Sequence, residues 1–181
     1  MADTIAAIAT GTQVSAIGII RLSGDETFRV IDRLFFPYSG KKMSESADRR
    51  LIFGELRDRG GELLDVCLCT ISRAPHSYTG ENTAELQCHG SPTVLRAALD
   101  ERQAAPGEFT KRAFLNGRME LCAAEAVADI IDAETVECAK NAAGQLSGAI
   151  SRKVDGIYSA LTDISSHYHA VLDYPDEDIE D

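Results

Sequence analysis

The 181-residue sequence has no tryptophan, only five prolines, and 6% aromatic residues. No apolar run approaches the roughly 18–20 residues that a bilayer-spanning helix needs. The first residues lack the basic segment that opens a secretory signal. The expectation is a soluble, cytoplasmic protein without membrane contact. The five cysteines are odd in number and form no C-x-x-C pair. Cys67 and Cys69 would share one strand face, a spacing unlike that of zinc knuckles. Buried, unpaired thiols in a reducing compartment are expected, and no metal site.

Several catalytic signatures are missing as well. The sequence contains neither G-x-x-x-x-G-K-[ST] nor G-x-G-x-x-G, the loops that cradle phosphates. It also lacks G-x-S-x-G and H-E-x-x-H, which excludes a nucleophile elbow and a zincin helix. His167 and His169 precede Asp173, but residues two apart on a helix do not share a face. A solvated pair is the reading there, and the acidic run 176–178 reads as a solvated helix end. Taken by themselves, the residues fit a ligand-binding or assembly module better than an independent catalyst.

Positive charge is scarce in one half only. Residues 1–118 carry 15 Lys and Arg against 15 Asp and Glu, whereas residues 119–181 carry 3 against 14. The whole net charge of −11 therefore lies in the second half. This predicts a domain boundary near Arg118, and it argues against the second half as a docking surface for phosphates.

The hydrophobic content of 44% is that of a globular protein. Residues 3–10 and 15–22, rich in Ile and Ala, read as strands. In the second, Ile17, Ile19 and Arg21 share a face, with Arg21 either an edge residue that snorkels or an anion contact. Ser23 and Glu26 have capping-box spacing and predict a helix over 25–35, with Phe28, Ile31, Leu34 and Phe35 inward. Residues 51–56 and 64–71 read as strands joined by a hairpin around Gly60 and Gly61. Ser91 and Pro92 predict a helix start, with Val94, Leu95, Ala98 and Leu99 facing inward. A short helix over 108–115 follows, ended by Asn116 and Gly117. Strands first, with intervening helices, fit an α+β domain.

From Leu121 the pattern is helical. Leu121, Ala124, Ala128 and Ile131 form one stripe, and Thr135 is placed to cap a second helix. Ile150, Val154, Ile157, Leu161, Ile164, Tyr168 and Val171 alternate spacings of four and three, a heptad-like seam. If unbroken from 135 to 173, this helix would run roughly 58 Å at about 1.5 Å per residue. Such a seam needs further helices, from another part of the protein or from a second subunit.

The most informative stretch is 74–90. It begins as a Pro/Ser/Gly loop and becomes an alternating run. Thr83, Glu85, Gln87 and His89 then share one strand face, while Ala84, Leu86 and Cys88 share the other. The second set reads as core. The first is a row of hydrogen-bonding groups that either faces water or receives a small polar ligand.

Five motifs occur in order: Gly18-Ile-Ile-Arg-Leu-Ser-Gly24, Tyr78-Thr-Gly-Glu81, Glu85-Leu-Gln-Cys-His-Gly90, Pro106-Gly-Glu-Phe-Thr-Lys-Arg-Ala-Phe-Leu-Asn-Gly-Arg118 and Ala124-Glu-Ala-Val-Ala-Asp129. Together they resemble the N-terminal part of the MnmE (TrmE) family of tRNA modification GTPases. Asp173-Tyr-Pro-Asp-Glu-Asp178 is similar to that family's junction before its inserted G domain. The resemblance implies an α+β domain over 1–118, similar to the tetrahydrofolate-binding domain of aminomethyltransferases, that dimerises and binds 5-formyltetrahydrofolate. It implies that 119–181 is the first part of an all-α helical domain. In the family, an FAD-dependent MnmG-type partner and GTP hydrolysis act with it on the wobble uridine of tRNA. GTP, Mg and K sites would belong to the G domain, and no catalytic residue is expected within these 181.

Carried over by motif, the folate contacts fall on Arg21, Glu85 and Arg118. A pterin presents adjacent N–H and amino donors that the Glu85 carboxylate can accept bidentately, and arginines suit the carboxylate and formyl acceptors. Strand alternation adds Gln87 and His89 as lining. One departure is that the sequence runs directly from Asp100 to Glu101, where the family carries several more residues; altered geometry is expected before Pro106. A stand-alone folate-dependent one-carbon transferase and a non-catalytic helical assembly module are the alternatives.

Overall fold

The computed structural model describes residues 3–11, 13–99 and 102–173. The chain divides into two compact units, residues 1–118 and 119–181. The first is a mixed sheet with helices and the second is helical, the α+β and all-α classes that the patterning implies.

The first unit is built on strands β1 (Ile5–Ile8), β2 (Ser15–Ser23), β3 (Phe35–Pro37), β4 (Ile52–Arg57), β5 (Leu63–Ser72), β6 (Thr83–Gly90) and β7 (Arg102–Gln103). They form one sheet in the order β3-β4-β5-β6-β2-β1-β7. All neighbours are antiparallel except β1 and β7. The helices are α1 (Thr27–Leu34), α2 (Pro92–Ala97) and α3 (Glu108–Leu115). Alternation sets the two faces of the sheet. Ile20 and Leu22 of β2, Cys67, Cys69 and Ile71 of β5, and Ala84, Leu86 and Cys88 of β6 are buried with Val30, Ile31 and Leu34 of α1 and Leu95 of α2. The opposite face carries Arg21, Glu85 and Gln87. β2 lies between β6 and β1, in the interior of the sheet, so Arg21 is not an edge residue.

The capping box at Ser23 does not form. Ser23 is fully buried; its hydroxyl donates to Glu81 Oε2 at 2.7 Å and lies 2.7 Å from Thr79 Oγ1. The helix begins instead at Thr27, and the Glu26 N–H donates to Thr4 Oγ1 at 2.9 Å. Phe35 is inward but belongs to β3. Ser91 occupies the cap position of α2 without a side-chain capping bond. The hairpin between β4 and β5 is present.

The second unit contains α4 (Leu121–Ile131), α5 (Val136–Leu146) and α6 (Ala149–Asp173). Thr135 caps α5, its hydroxyl accepting from the Cys138 N–H at 3.1 Å. The predicted stripe on α4 is displaced: Ala123 and Ala126 are buried, while Leu121 and Ile131 are exposed. Nearly every residue of LCAAEAVADII is apolar, so two helical registers look equally amphipathic, and packing on α5 selects the other. The continuous helix is also broken. The chain turns at Ser147 and at Gly148, whose φ of +80° is left-handed, a conformation that glycine adopts without steric cost. The remaining 25-residue α6 is about 38 Å long. Within the described unit its seven seam residues are exposed, from 40% at Ile150 to 66% at Ile164.

Burial of the thiols holds for the sheet alone: Cys67, Cys69 and Cys88 are buried, whereas Cys122 and Cys138 are exposed. The helices of the second unit are thin and largely solvated, and α4 and α5 present both cysteines outward. His167 and His169 are exposed. Among the described residues no helix is long and apolar enough to cross a membrane, and no group of His, Cys, Asp and Glu is arranged to hold a metal ion. The Asp100–Glu101 junction and the acidic stretch after Asp173 lie outside the described residues.

Candidate functional site

Antiparallel register sets Arg21 of β2 directly opposite Glu85 of β6. Their side chains meet, Arg21 Nε donating to Glu85 Oε1 at 2.8 Å. Both are partly shielded, with 34% and 28% of the side chain exposed, so the pair remains reachable from solvent. The contact uses one nitrogen of the guanidinium and one oxygen of the carboxylate. A guanidinium has five donors and a carboxylate about four acceptor positions, so both groups keep capacity for a planar ligand.

Two aromatic rings flank the arginine. Its guanidinium carbon lies 5.7 Å from the Tyr78 ring centroid and 5.8 Å from that of Phe109, within the range of cation–π attraction. Tyr78 comes from the loop before β6 and Phe109 from the first turn of α3. The two are latched by a 2.9 Å hydrogen bond between Tyr78 Oη and Thr110 Oγ1.

Arg118 reaches the same loop, its Nε donating to the Ser77 carbonyl at 3.1 Å. Asn116 Nδ2 donates to the Thr79 carbonyl at 2.7 Å. Between these anchors sits Gly80, with φ +79°; a Cβ there would lie 3.1 Å from both Arg118 Cγ and Asn116 Cβ. The end of α3 thus grips the loop against a residue with no side chain.

The structure therefore joins Arg21 and Glu85 directly and ties Arg118 to the loop that carries Tyr78. Gln87 is half-buried on the same face of β6. His89 is turned to β5: its Nδ1 lies 2.7 Å from Asp65 Oδ1, and its N–H donates to Asp65 Oδ2 at 2.8 Å. Its side chain is 76% exposed.

Sequence reasoning missed the aromatic pair and an ionic cluster behind it. Arg112 of α3, only 10% exposed, donates to Glu81 Oε2 at 3.0 Å, Asp3 Oδ1 at 3.0 Å and Glu108 Oε1 at 3.1 Å. Arg102 also pairs with Asp3 and Glu108. The Arg102 hydrogen bond is the largest influence on Glu108. It outweighs desolvation and, with the Ala105 N–H and Arg112, holds that carboxyl down to about 2. Asp3 is lowered in the same sense, chiefly by Arg102. The local signal was the Glu108/Arg112 spacing of four, which on a helix commonly marks a surface pair.

Two clefts are lined by residues of the first unit. One, of about 450 Å³, is lined by Glu81, Pro106, Glu108, Lys111, Arg112 and Asn116 among others. The other, of about 490 Å³, lies among Ala6, Ile8, Leu95, Leu99 and Gln103. Neither includes Arg21, Glu85 or Arg118. The Arg21–Glu85 pair itself is partly exposed on the sheet beside two aromatic side chains. A carboxylate, two arginines and two rings in such a setting can take a flat heteroaromatic group with adjacent N–H donors and an acceptor-rich tail.

Residues 4–118 match the family described as the N-terminus of the GTP-binding protein TrmE, and residues 121–181 match the MnmE helical domain. Relatives include the tRNA modification GTPase MnmE of Clostridioides difficile, 42% identical over 98% of this chain and 40% of its own length. That of Symbiobacterium thermophilum is 40% identical over 98% and 40%, and that of Bacteroides thetaiotaomicron 42% identical over 98% and 39%. The chain thus spans about two fifths of the length of the relatives it matches.

Proposed function

This chain belongs to the MnmE (TrmE) family of tRNA modification GTPases, and on that premise we propose that residues 1–118 bind 5-formyltetrahydrofolate and dimerise. Residues 119–181 would be the first part of the helical domain. In the whole protein the bound folate would supply one carbon for modification of the wobble uridine of tRNA, together with an FAD-dependent MnmG-type partner in the cytoplasm. GTP, Mg and K sites are assigned to parts of the family's proteins that these residues do not span.

The observation that carries the reading is the Arg21–Glu85 pair, open to solvent and flanked by Tyr78 and Phe109. Glu85 would accept the adjacent N–H and amino groups of the pterin in a charge-assisted, bidentate contact. Arg21 and Arg118 would serve the acceptor groups of the formyl and glutamyl parts. Support for dimerisation comes from the β3–β4 edge, where Phe36, Tyr38, Leu51 and Phe53 are 44–58% exposed. Clustered aromatic residues of this kind are enriched at protein interfaces.

Isothermal calorimetry of the 181-residue protein with 5-formyltetrahydrofolate tests the site. Saturable binding is expected, weakened at least about tenfold by Glu85→Ala, equivalent to about 1.4 kcal/mol. An unchanged affinity in that variant would count against Glu85. Light scattering should give a dimer mass, and a monomer at micromolar concentration would remove the dimerisation assignment.

A further inference from the structure

We propose that Arg112, which does not itself face the Arg21–Glu85 pair, is the positioning residue of the folate site; the inference rests on the folate reading of Arg21, Glu85 and Arg118. Its fork ties α3 to the loop before β6 and to the entry of β1. It holds Asp3, at the entry to β1, through both the backbone carbonyl at 2.8 Å and Oδ1 at 3.0 Å. It holds Glu81, three residues after Tyr78 and four before Glu85, through Oε2 at 3.0 Å and Oε1 at 3.3 Å. It holds Glu108, the neighbour of Phe109, at 3.1 Å. Glu81 in turn accepts from Ser23 Oγ at 2.7 Å, two residues along β2 from Arg21.

Three of these groups are enclosed, the side chains of Arg112, Glu81 and Glu108 being 10%, 14% and 15% exposed, while Asp3 closes the cluster on the solvent side at 60%. Desolvating a charged cluster offsets much of its Coulomb attraction, so net stability is a weak reason for its presence. Geometry is a stronger one. Only a planar fork with several donors satisfies three carboxylates and a carbonyl at once. A lysine ammonium has the charge but not the reach in several directions. Loss of the fork would release Glu81, and with it the loop that seats Tyr78 over Arg21 and receives Arg118 at Ser77.

The test uses Arg112→Lys in the 181-residue protein, with calorimetry against 5-formyltetrahydrofolate and amide hydrogen exchange. Affinity should fall by roughly tenfold, and exchange should accelerate at residues 77–82 while the β4–β5 hairpin stays protected. The loss should also be non-additive with Glu85→Gln, which would cost several-fold less when combined with Arg112→Lys than alone; coupling of that kind marks residues acting on one site. Arg29→Lys, which alters an exposed pair with Glu26 at the start of α1, serves as the control and should leave affinity unchanged. Affinity within about twofold of wild type, or strictly additive losses, would overturn the proposal. If Arg112→Lys does not fold, Glu81→Gln carries the same expectations. If the wild type binds no folate, the folate reading falls. Unaltered exchange at 77–82 in Arg112→Lys overturns the positioning role in its own right.

Discussion

Replacing Gly80 by alanine adds one methyl group at the tightest point of the site, and its cost can be worked out in parts. Gly80 has φ +79°, where a residue with a Cβ costs roughly 1–2 kcal/mol. The reduced freedom of the unfolded chain returns about 0.4–1 kcal/mol. The new Cβ would also stand 3.1 Å from Arg118 Cγ and Asn116 Cβ, closer than the roughly 3.5–4.0 Å optimum for carbon atoms. Neither neighbour can withdraw without stretching its bond to the loop, 3.1 Å to Ser77 O and 2.7 Å to Thr79 O, each worth about 1 kcal/mol. The total is about 2 kcal/mol, a fall of roughly 8 °C in Tm for a unit of this size. Folate affinity should fall with it, because Arg118 is displaced. Gly61 provides the internal control: its φ is +85°, and nothing lies within 4 Å of an added Cβ, so Gly61→Ala bears the backbone term alone. Thermal melts and calorimetry on both variants decide the matter. Equal losses of stability, with folate binding unchanged in Gly80→Ala, would refute the packing argument.

Two further outcomes follow from the same structure. Leu86 is fully buried in β6, so Leu86→Ala should cost about 3 kcal/mol through lost burial and a residual cavity. Urea unfolding would show this as a lower midpoint at constant slope, whereas Leu63→Ala, at a site 58% exposed, should cost well under half as much. Acid should also unlock the Arg112 cluster. Glu108 is held at about 2, below its ordinary 4.5, so its contribution is complete above about pH 4.5 and fades as pH falls toward 2. Asp3, lowered in the same direction, adds to that limb. Glu108→Gln should therefore lose less stability than wild type between pH 6 and pH 3, and parallel melting curves for the two proteins would contradict this.

Local periodicity made much of the sheet legible. Alternation along β6 separated Ala84, Leu86 and Cys88 from Glu85 and Gln87, and the structure buries the first set. The end of α3 followed from its Asn-Gly stop. Failures arose where one residue type serves two ends. Ser23 satisfies the spacing of a capping box, yet the same hydroxyl is used in a buried bond to Glu81. On α4 an almost wholly apolar sequence left the inward register undetermined. Gly148 breaks a helix whose apolar spacing beyond it is regular, and spacing does not register a left-handed backbone. Arg112 was out of reach for a different reason: its partners Asp3 and Glu81 lie 109 and 31 residues away. No local pattern brings them together.

The uneven placement of the thiols makes the two units chemically distinguishable. Cys88 is pushed well up by its hydrogen bond with Cys67 and by burial, and Cys69 is raised by burial. Thiolate, the reactive form, is therefore scarce at Cys69 and Cys88, and Cys67 is shielded by burial. Cys122 and Cys138 are exposed on α4 and α5. A maleimide dye at neutral pH should attach to the helical unit within minutes and spare the sheet, with no engineered cysteine required. Slower modification at Cys67, Cys69 or Cys88 then becomes a clock for opening of the sheet unit, and a ligand that stabilises this unit should slow it.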